Sequence, residues 1–240
     1  MSAKKKIIFI TGTDTGVGKT LLTALLLHHL RQTGVRALAM KPFCSGGLAD
    51  VKLLQSLQPG ELSDAEMNPF YFKEPIAPLI AAEKNRRIIR LSEVVAQIKH
   101  VGKKCDCLLI EGSGGLLVPL GKGFTVADLI AKLNCQVIVV ARNRLGTINH
   151  TLLTINVLRA TVKVAARLAV VLMAAQKPDF ASFSNQKTLF NLLKPIKVLK
   201  IPFLGKKATR LASIKTQHRK VKRALTILVG KSQDPNTLPT

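Results

Sequence analysis

Short runs of consecutive apolar residues punctuate this chain, and stretches of helical spacing separate them. Residues 7–11, 36–41, 107–111, 136–141 and 168–173 read as strands, with a shorter one near 198–201. Residues 21–31, 91–102 and 147–160 read as helices. The first of these ends near Gly34, and Ser92 or the residue before it is placed to cap the second. The strands are apolar throughout rather than alternating. That pattern suits a parallel sheet buried on both faces, so the expected class is α/β, a mostly parallel β-sheet with helices on both faces. Residues 46–90 are the least regular and read as loops with short helices. With no internal repeat and no linker rich in Gly, Pro or Ser, residues 1–240 read as one domain. The basic start, 1–6, and the polar end, 231–240, read as loosely ordered.

Composition narrows the class further. The longest apolar run, 168–175, has eight residues, whereas a membrane-spanning helix needs about 20. The apolar stretch after the N-terminal lysines is short and no small-residue cleavage site follows it, so it reads as a basic end leading into a buried first strand rather than as a signal peptide. The expected location is therefore cytoplasmic. The four cysteines, Cys44, Cys105, Cys107 and Cys135, fit neither a zinc knuckle nor a C-x-x-C motif and read as reduced and structural. There is no Trp and one Tyr, which leaves little for base-stacking recognition of single strands. Charge is the unusual property. Lys and Arg number 37 against 13 Asp and Glu, a formal +24. Residues 1–128 carry 17 basic and 11 acidic residues, whereas residues 129–240 carry 20 basic and only Asp179 and Asp234 as acids. Such a field favours non-specific polyanion binding whatever the fold does.

The strongest local motif is Thr11-Gly12-Thr13-Asp14-Thr15-Gly16-Val17-Gly18-Lys19-Thr20, followed by Leu21. It lies between a strand and a helix, the context of a phosphate-binding P-loop. Backbone N–H groups at the helix start would surround phosphates, Lys19 would reach the β- and γ-phosphates, and Thr20 would ligate Mg²⁺. Gly16 and Gly18 permit backbone that a Cβ would forbid. Thr13 stands where the common pattern has its first glycine, and Gly12 lies one residue earlier.

Three further clusters follow strands, where the carboxyl ends of a parallel sheet face the ligand crevice. Lys41-Pro42-Phe43-Cys44-Ser45-Gly46 places a cation beside the phosphates. Glu111-Gly112-Ser113-Gly114-Gly115 offers a carboxylate for Mg²⁺ and backbone able to approach a ligand; Asp50, at a helix start, is a second candidate ligand. Gly146-Thr147-Ile148-Asn149-His150 opens a helix whose free N–H groups suit a carboxylate or phosphate. His150, His28 and His29 read as packing or capping residues.

Together these motifs resemble the ATP-dependent dethiobiotin synthetases. The resemblance also draws on Asn68-Pro69-Phe70-Tyr71, Glu74-Pro75, Pro78, Phe124-Thr125-Val126-Ala127-Asp128 and Ile201-Pro202-Phe203. It implies a P-loop ligase that takes 7,8-diaminopelargonic acid, CO₂ or bicarbonate, and ATP to dethiobiotin, ADP and phosphate through a carbamate and a carbamic–phosphoric anhydride. Lys19, Lys41 and Thr15 would then act on the transferring phosphoryl group. Thr13 to Leu21, Glu111 to Gly114, Ala174, Ala175 and Ile201-Pro202-Phe203 would contact nucleotide. Thr20, Asp50 and Glu111 would hold Mg²⁺. Lys41, Ser45, Gly146, Thr147 and Asn149 would contact substrate, the last three across a homodimer. Two departures stand out. Ala174-Ala175 occupies positions where this family often has an Asn that reads adenine, and Arg142-Asn143-Arg144 adds two cations expected to be solvated.

A different class competes with this reading: a regulatory P-loop ATPase that uses its basic surface on DNA or an anionic membrane. Partition and septum-site ATPases carry a lysine ahead of the glycines, K-G-G-x-G-K-T, and Asp14 occupies that position here.

Overall fold

In a computed structural model of the chain, residues 5–161 and 167–230 are described. The start up to residue 4 and the whole of the polar tail lie outside them. Six strands form one parallel sheet: β1 (Lys6–Gly12), β2 (Ala37–Met40), β5 (Cys107–Glu111), β8 (Gln136–Asn143), β9 (Leu168–Ala174) and β10 (Lys197–Ile201). Their order across the sheet is β10-β9-β8-β1-β5-β2, every pair parallel. Each predicted strand is present within two residues at either end. The interior of the sheet is almost wholly apolar because both faces are covered, as continuous rather than alternating runs require.

The chain leaves β1 for the far edge, β2, and then returns strand by strand to the opposite edge. Right-handed crossovers put α1 (Lys19–Gln32) on one face and α5 (Leu91–Gly102), α6 (Val126–Leu133), α7 (Thr147–Thr161) and α8 (Asn185–Leu193) on the other, each touching the next. The last helix, α9 (Leu211–Val229), crosses back and packs along α1. Its apolar stripe, Ile214, Val221, Leu225 and Leu228, is buried. In the same seam the buried His29 sets Nδ1 2.9 Å from Nε2 of His218, the packed role its position predicts.

Two expectations change. Neither Ser92 nor Leu91 caps α5: Arg90 is the N-cap residue, in extended backbone, and its side chain makes no capping bond. The segment 46–90 holds the expected loops and short helices and, beyond them, a strand. It contains α2 (Ala49–Ser56), α3 (Asp64–Met67), β4 (Phe70–Phe72) and α4 (Pro78–Lys84). The strand β4 pairs in parallel with β3 (Phe43–Ser45), with Phe43 and Phe70 stacked at 4.7 Å between ring centroids. Three-residue strands escape a periodicity reading because each contributes a single alternation. A third, two-stranded sheet joins β6 (Pro119–Gly121) to β7 (Phe124–Thr125).

This topology sets the place of the site. β1 lies between β5 and β8, at the point where the chain first departs to one side and later passes to the other, so a crevice opens above its carboxyl end.

Candidate active site

Strand register brings three dispersed motifs to one edge of the sheet. Ile10 is level with Glu111, and Met40 is level with Ile110. The P-loop after Gly12, the Glu111 carboxylate and Lys41 therefore leave the sheet at the same height on adjacent strands. They line a cavity of about 730 Å³ together with Thr15, Thr20, Ser45 and Asp50.

The loop is shaped by its glycines at two places. Gly18, just before α1, has φ +105°, and a Cβ there would lie 3.1 Å from Cγ of Met173. Gly12 supplies the close approach that the displaced first glycine would otherwise give. A Cβ at Gly12 would come within 2.7 Å of Val17 and 3.2 Å of the Lys19 ammonium. Thr13 therefore needs no glycine's freedom, and the unusual spacing still yields a P-loop. Lys19 Nζ donates to the Asp14 carbonyl at 2.9 Å, which keeps the ammonium curled over the loop. The Asp14 carboxylate accepts the Thr15 N–H at 2.6 Å. Asp14 is thus a turn-forming side chain here, a role a lysine could not take.

The cations and carboxylates form one network. Glu111 is buried at the end of β5, 1% exposed. Its Oε1 accepts from Lys41 Nζ at 2.8 Å and from Thr20 Oγ1 at 2.7 Å, while its Oε2 is buried without a hydrogen-bond partner. Lys41 also pairs with Asp50, which enters from the first turn of α2. Burial pushes the Glu111 carboxyl up, against the opposing pull of Lys41. Burial disfavours charge on Lys41 too, but Glu111 and Asp50 outweigh it, so the ammonium is held charged well above the usual lysine range. Lys19 lacks such close partners, and burial lowers it to about 8.

The loop carrying Lys41 is braced from the segment that was hard to read. Lys41 N–H donates to the Met67 carbonyl at 3.0 Å, and Asn68 Nδ2 donates to the Lys41 carbonyl at 2.6 Å. Ser63 starts α3 with a capping box to Glu66, which fixes the turn that presents Met67 and Asn68. Ser45 lines the cavity with a buried hydroxyl that has no partner.

Not every predicted residue meets in this cavity. Gly112, Ser113 and Gly114 line it, as do Gly16, Gly18 and Leu21. Thr13, Asp14, Val17 and Thr147 instead line a separate cleft of about 50 Å³ on the other flank of the P-loop, where α7 begins. Gly146 and Asn149 are exposed at that helix start, and so is His150, which lies at the cleft rather than packed in the core. Ala174 ends β9 and Ala175 follows it, both outside the cavity lining. Ile201 is buried, and Pro202 and Phe203 are exposed beyond it. The rim is built a few residues later, by Gly205, Lys206, Ala208 and Thr209, and opposite them by Pro75 to Pro78. No local motif marks 205–209; only the return of the chain toward α9 puts it there.

Arg142 corrects an expectation. It is exposed but not merely solvated, because its Nε and Nη2 both donate to the Gly16 carbonyl, at 3.1 and 2.8 Å. It ties the end of β8 to the P-loop. Arg144 remains an exposed cation at the small cleft. The four cysteines are free and buried, and burial pushes Cys107 and Cys135 up to about 12, so neither is a nucleophile.

A parallel sheet with a glycine-shaped loop at its switch point, a lysine in that loop and a carboxylate on the neighbouring strand defines a P-loop nucleotide-binding protein. A family model described as an AAA domain matches residues 6–212. The chain is 44% identical over 154 residues to the ATP-dependent dethiobiotin synthetase BioD of Bacillus licheniformis, which covers 62% of this chain and 66% of that relative, just under two thirds of its length. It is 39% identical over 186 residues to the BioD of Anaeromyxobacter sp. strain Fw109-5, covering 72% of this chain and 78% of the relative. The chain belongs to the dethiobiotin synthetase family. Among solved structures, the MinD cell division protein in its MinC complex from Aquifex aeolicus superposes with a TM-score of 0.58 at 18% identity, covering 97% of this chain and 99% of that one. That likeness shows the shared fold.

Proposed function

We propose that this chain is a Mg-ATP-dependent ring-closing ligase. It would convert 7,8-diaminopelargonic acid and CO₂ to dethiobiotin with release of ADP and phosphate, within a single domain and in the cytoplasm. The observation that carries the reading is the convergence of Lys19, Lys41, Thr20, Asp50 and Glu111 on one cavity of about 730 Å³. Lys19 and Lys41 face Asp50 and Glu111 there, with Lys206 as a further cation on the rim, so the cavity carries a net positive charge suited to phosphates. All four cysteines are free and buried, which suits a reducing compartment.

The chemistry follows from that charge arrangement. One amine of the substrate adds to CO₂ and loses a proton, giving a carbamate. A carbamate oxygen attacks the γ-phosphorus of ATP, and the bond to ADP breaks. The second amine attacks the carbonyl carbon of the mixed anhydride and loses a proton, phosphate leaves, and the ring closes. Phosphoryl transfer is chiefly a matter of positioning and electrostatics. Lys19 reaches from the P-loop toward the phosphates, with Thr15 at the loop's mouth. Lys41, fixed by Glu111 and Asp50, presents a permanent positive charge where the transferring group and the carbamate meet. The orphaned, buried Ser45 hydroxyl is free to donate to substrate.

Mg²⁺ fits the same residues. Thr20, Asp50 and the unpartnered Oε2 of Glu111 are an all-oxygen donor set of the kind this cation accepts. Those three would hold it, and it would neutralise charge on the phosphate oxygens. The start of α7 lies on the far flank of the P-loop, outside the main cavity. Around it the large apolar side chains of Leu145, Phe180 and Phe183 are exposed, at 78%, 95% and 76%. Such a patch supports a homodimer in which Gly146, Thr147 and Asn149 serve the partner's substrate carboxylate.

The test is ADP release by purified protein with Mg-ATP, bicarbonate and 7,8-diaminopelargonic acid, each omitted in turn, with product mass checked for dethiobiotin. Turnover that needs every component supports the ligase. ATP hydrolysis independent of the diamine, and stimulated by DNA or anionic vesicles, would instead establish the regulatory ATPase.

A further inference from the structure

The C-terminal part of the chain is basic in a patterned way. Between Phe180 and Gly230 the sequence has twelve Lys and Arg and no Asp or Glu. On α9, Lys215, Arg219, Lys220, Lys222 and Arg223 are all exposed. Lys215, Arg219, Lys222 and Arg223 follow the i, i+4, i+7, i+8 rule and share one face, with Lys220 at its margin. The buried stripe lies on the opposite side of the helix. Among the described residues none of these five cations is in an ion pair. Neither α1 nor β10, the elements packed against α9, contains an acidic residue that could neutralise them.

Like charges spaced i, i+4 destabilise a helix. Here Lys215, Arg219 and Arg223 repeat that spacing twice, so the row is held against its own repulsion by packing of the opposite face. The row spans about 12 Å of helix at a rise of about 1.5 Å per residue. That is a fixed array of cations rather than a diffuse excess.

We propose that the exposed face of α9 is a docking surface for the phosphodiester backbone of duplex DNA, read without sequence preference. Duplex DNA presents one charge per about 1.7 Å of axis, so several phosphates lie within reach of such a row. Backbone contacts from Lys and Arg need no aromatic stacking, which this chain could scarcely supply. A membrane surface fits less well. An interfacial helix buries its apolar face in lipid, whereas the apolar face of α9 is committed to α1, and no large exposed hydrophobic residue lies on α9. The surface is separate from the phosphoryl-transfer residues, so the proposal stands or falls apart from the ligase reading.

The experiment is fluorescence anisotropy of a labelled 30-base-pair duplex titrated with the full chain between 50 and 200 mM salt. Wild type should bind with a log–log salt slope near −4, the value for about four neutralised phosphates. The quadruple variant Lys215→Glu, Arg219→Glu, Lys222→Glu, Arg223→Glu should bind at least 30-fold more weakly at 100 mM salt. A milder set with Gln at the same four positions should fall between, and guards against unfolding by charge reversal. A control set, Lys99→Glu, Lys103→Glu, Lys122→Glu, Lys132→Glu, makes the same change in net charge on exposed positions elsewhere and should stay within threefold of wild type. Far-UV circular dichroism of all three sets should match wild type. The proposal is overturned if the control set weakens binding as much as the α9 set, since net charge alone then explains it. It is equally overturned if phosphatidylserine-containing vesicles bind and duplex DNA does not.

Discussion

Replacing Lys41 by Met removes one charge from the centre of the site while keeping most of the side chain's stem. The cost can be worked from its two partners. Asp50 is 44% exposed, so its pairing with Lys41 resembles a surface pair, about 1 kcal/mol or less. Glu111 is 1% exposed and 2.8 Å from the ammonium. Stranding it matches the loss of one partner from a buried pair, about 3–5 kcal/mol. Glu111 can escape part of that cost by taking up a proton, and burial already raises its pKa. The sign follows directly. A carboxyl whose folded pKa lies above its unfolded value binds protons more tightly when folded, so stability falls as pH rises from the unfolded pKa toward the folded one. The variant's deficit should therefore be about 1 kcal/mol near pH 5 and about 3 kcal/mol near pH 8. Urea unfolding at the two pH values reads this directly. Adding Glu111→Gln to Lys41→Met should recover about 2 kcal/mol at pH 8, the coupling of a contacting pair. Turnover should drop by about two to four powers of ten in the single variant, the scale for a lost preorganised charge contact. It should not return in the double variant. A single variant as stable as wild type at pH 8, or a double variant no better than the single, would refute the buried-pair account. Undiminished turnover would remove Lys41 from the chemistry.

Other consequences follow from the P-loop. Lys19 sits at about 8 and must be charged to meet phosphates, so nucleotide affinity should fall as pH rises from 7.5 to 9.5, by up to about tenfold per unit above its pKa. Calorimetry in buffers of different ionisation enthalpy should show proton uptake on binding near pH 8.5, and Lys19→Arg should abolish the uptake. Gly18→Ala forces a side chain into φ +105° and toward Met173, and should cost about 1–2 kcal/mol in thermal or urea unfolding. It should also weaken nucleotide binding; an unperturbed variant would mean the loop relaxes freely. Arg142→Ala loses both bonds to the Gly16 carbonyl and should raise the KM for ATP roughly threefold to tenfold with kcat little changed. A fall in kcat alone would place Arg142 in the chemistry instead.

Local sequence was enough for much of this protein. Continuous apolar runs bounded by turns located all six strands of the main sheet and showed that both faces are covered, because burial of a strand is written in its own side chains. The P-loop, and the placing of Lys41 and Glu111 at strand ends, followed from residue types whose chemistry needs no distant partner. The pairing of β3 with β4 escaped, since three residues carry too little periodicity to be seen. Tertiary structure alone decided the rest. Register puts Ile10 level with Glu111 and Met40 level with Ile110; without it Lys41, Glu111 and Thr20 are merely three polar residues far apart in the chain. The clamp from Arg142 to Gly16 and the rim at Gly205 to Thr209 arise from strand order and from the return of the chain toward α9. Those are relations between segments, fixed by which packing buries the most apolar surface with every backbone group satisfied.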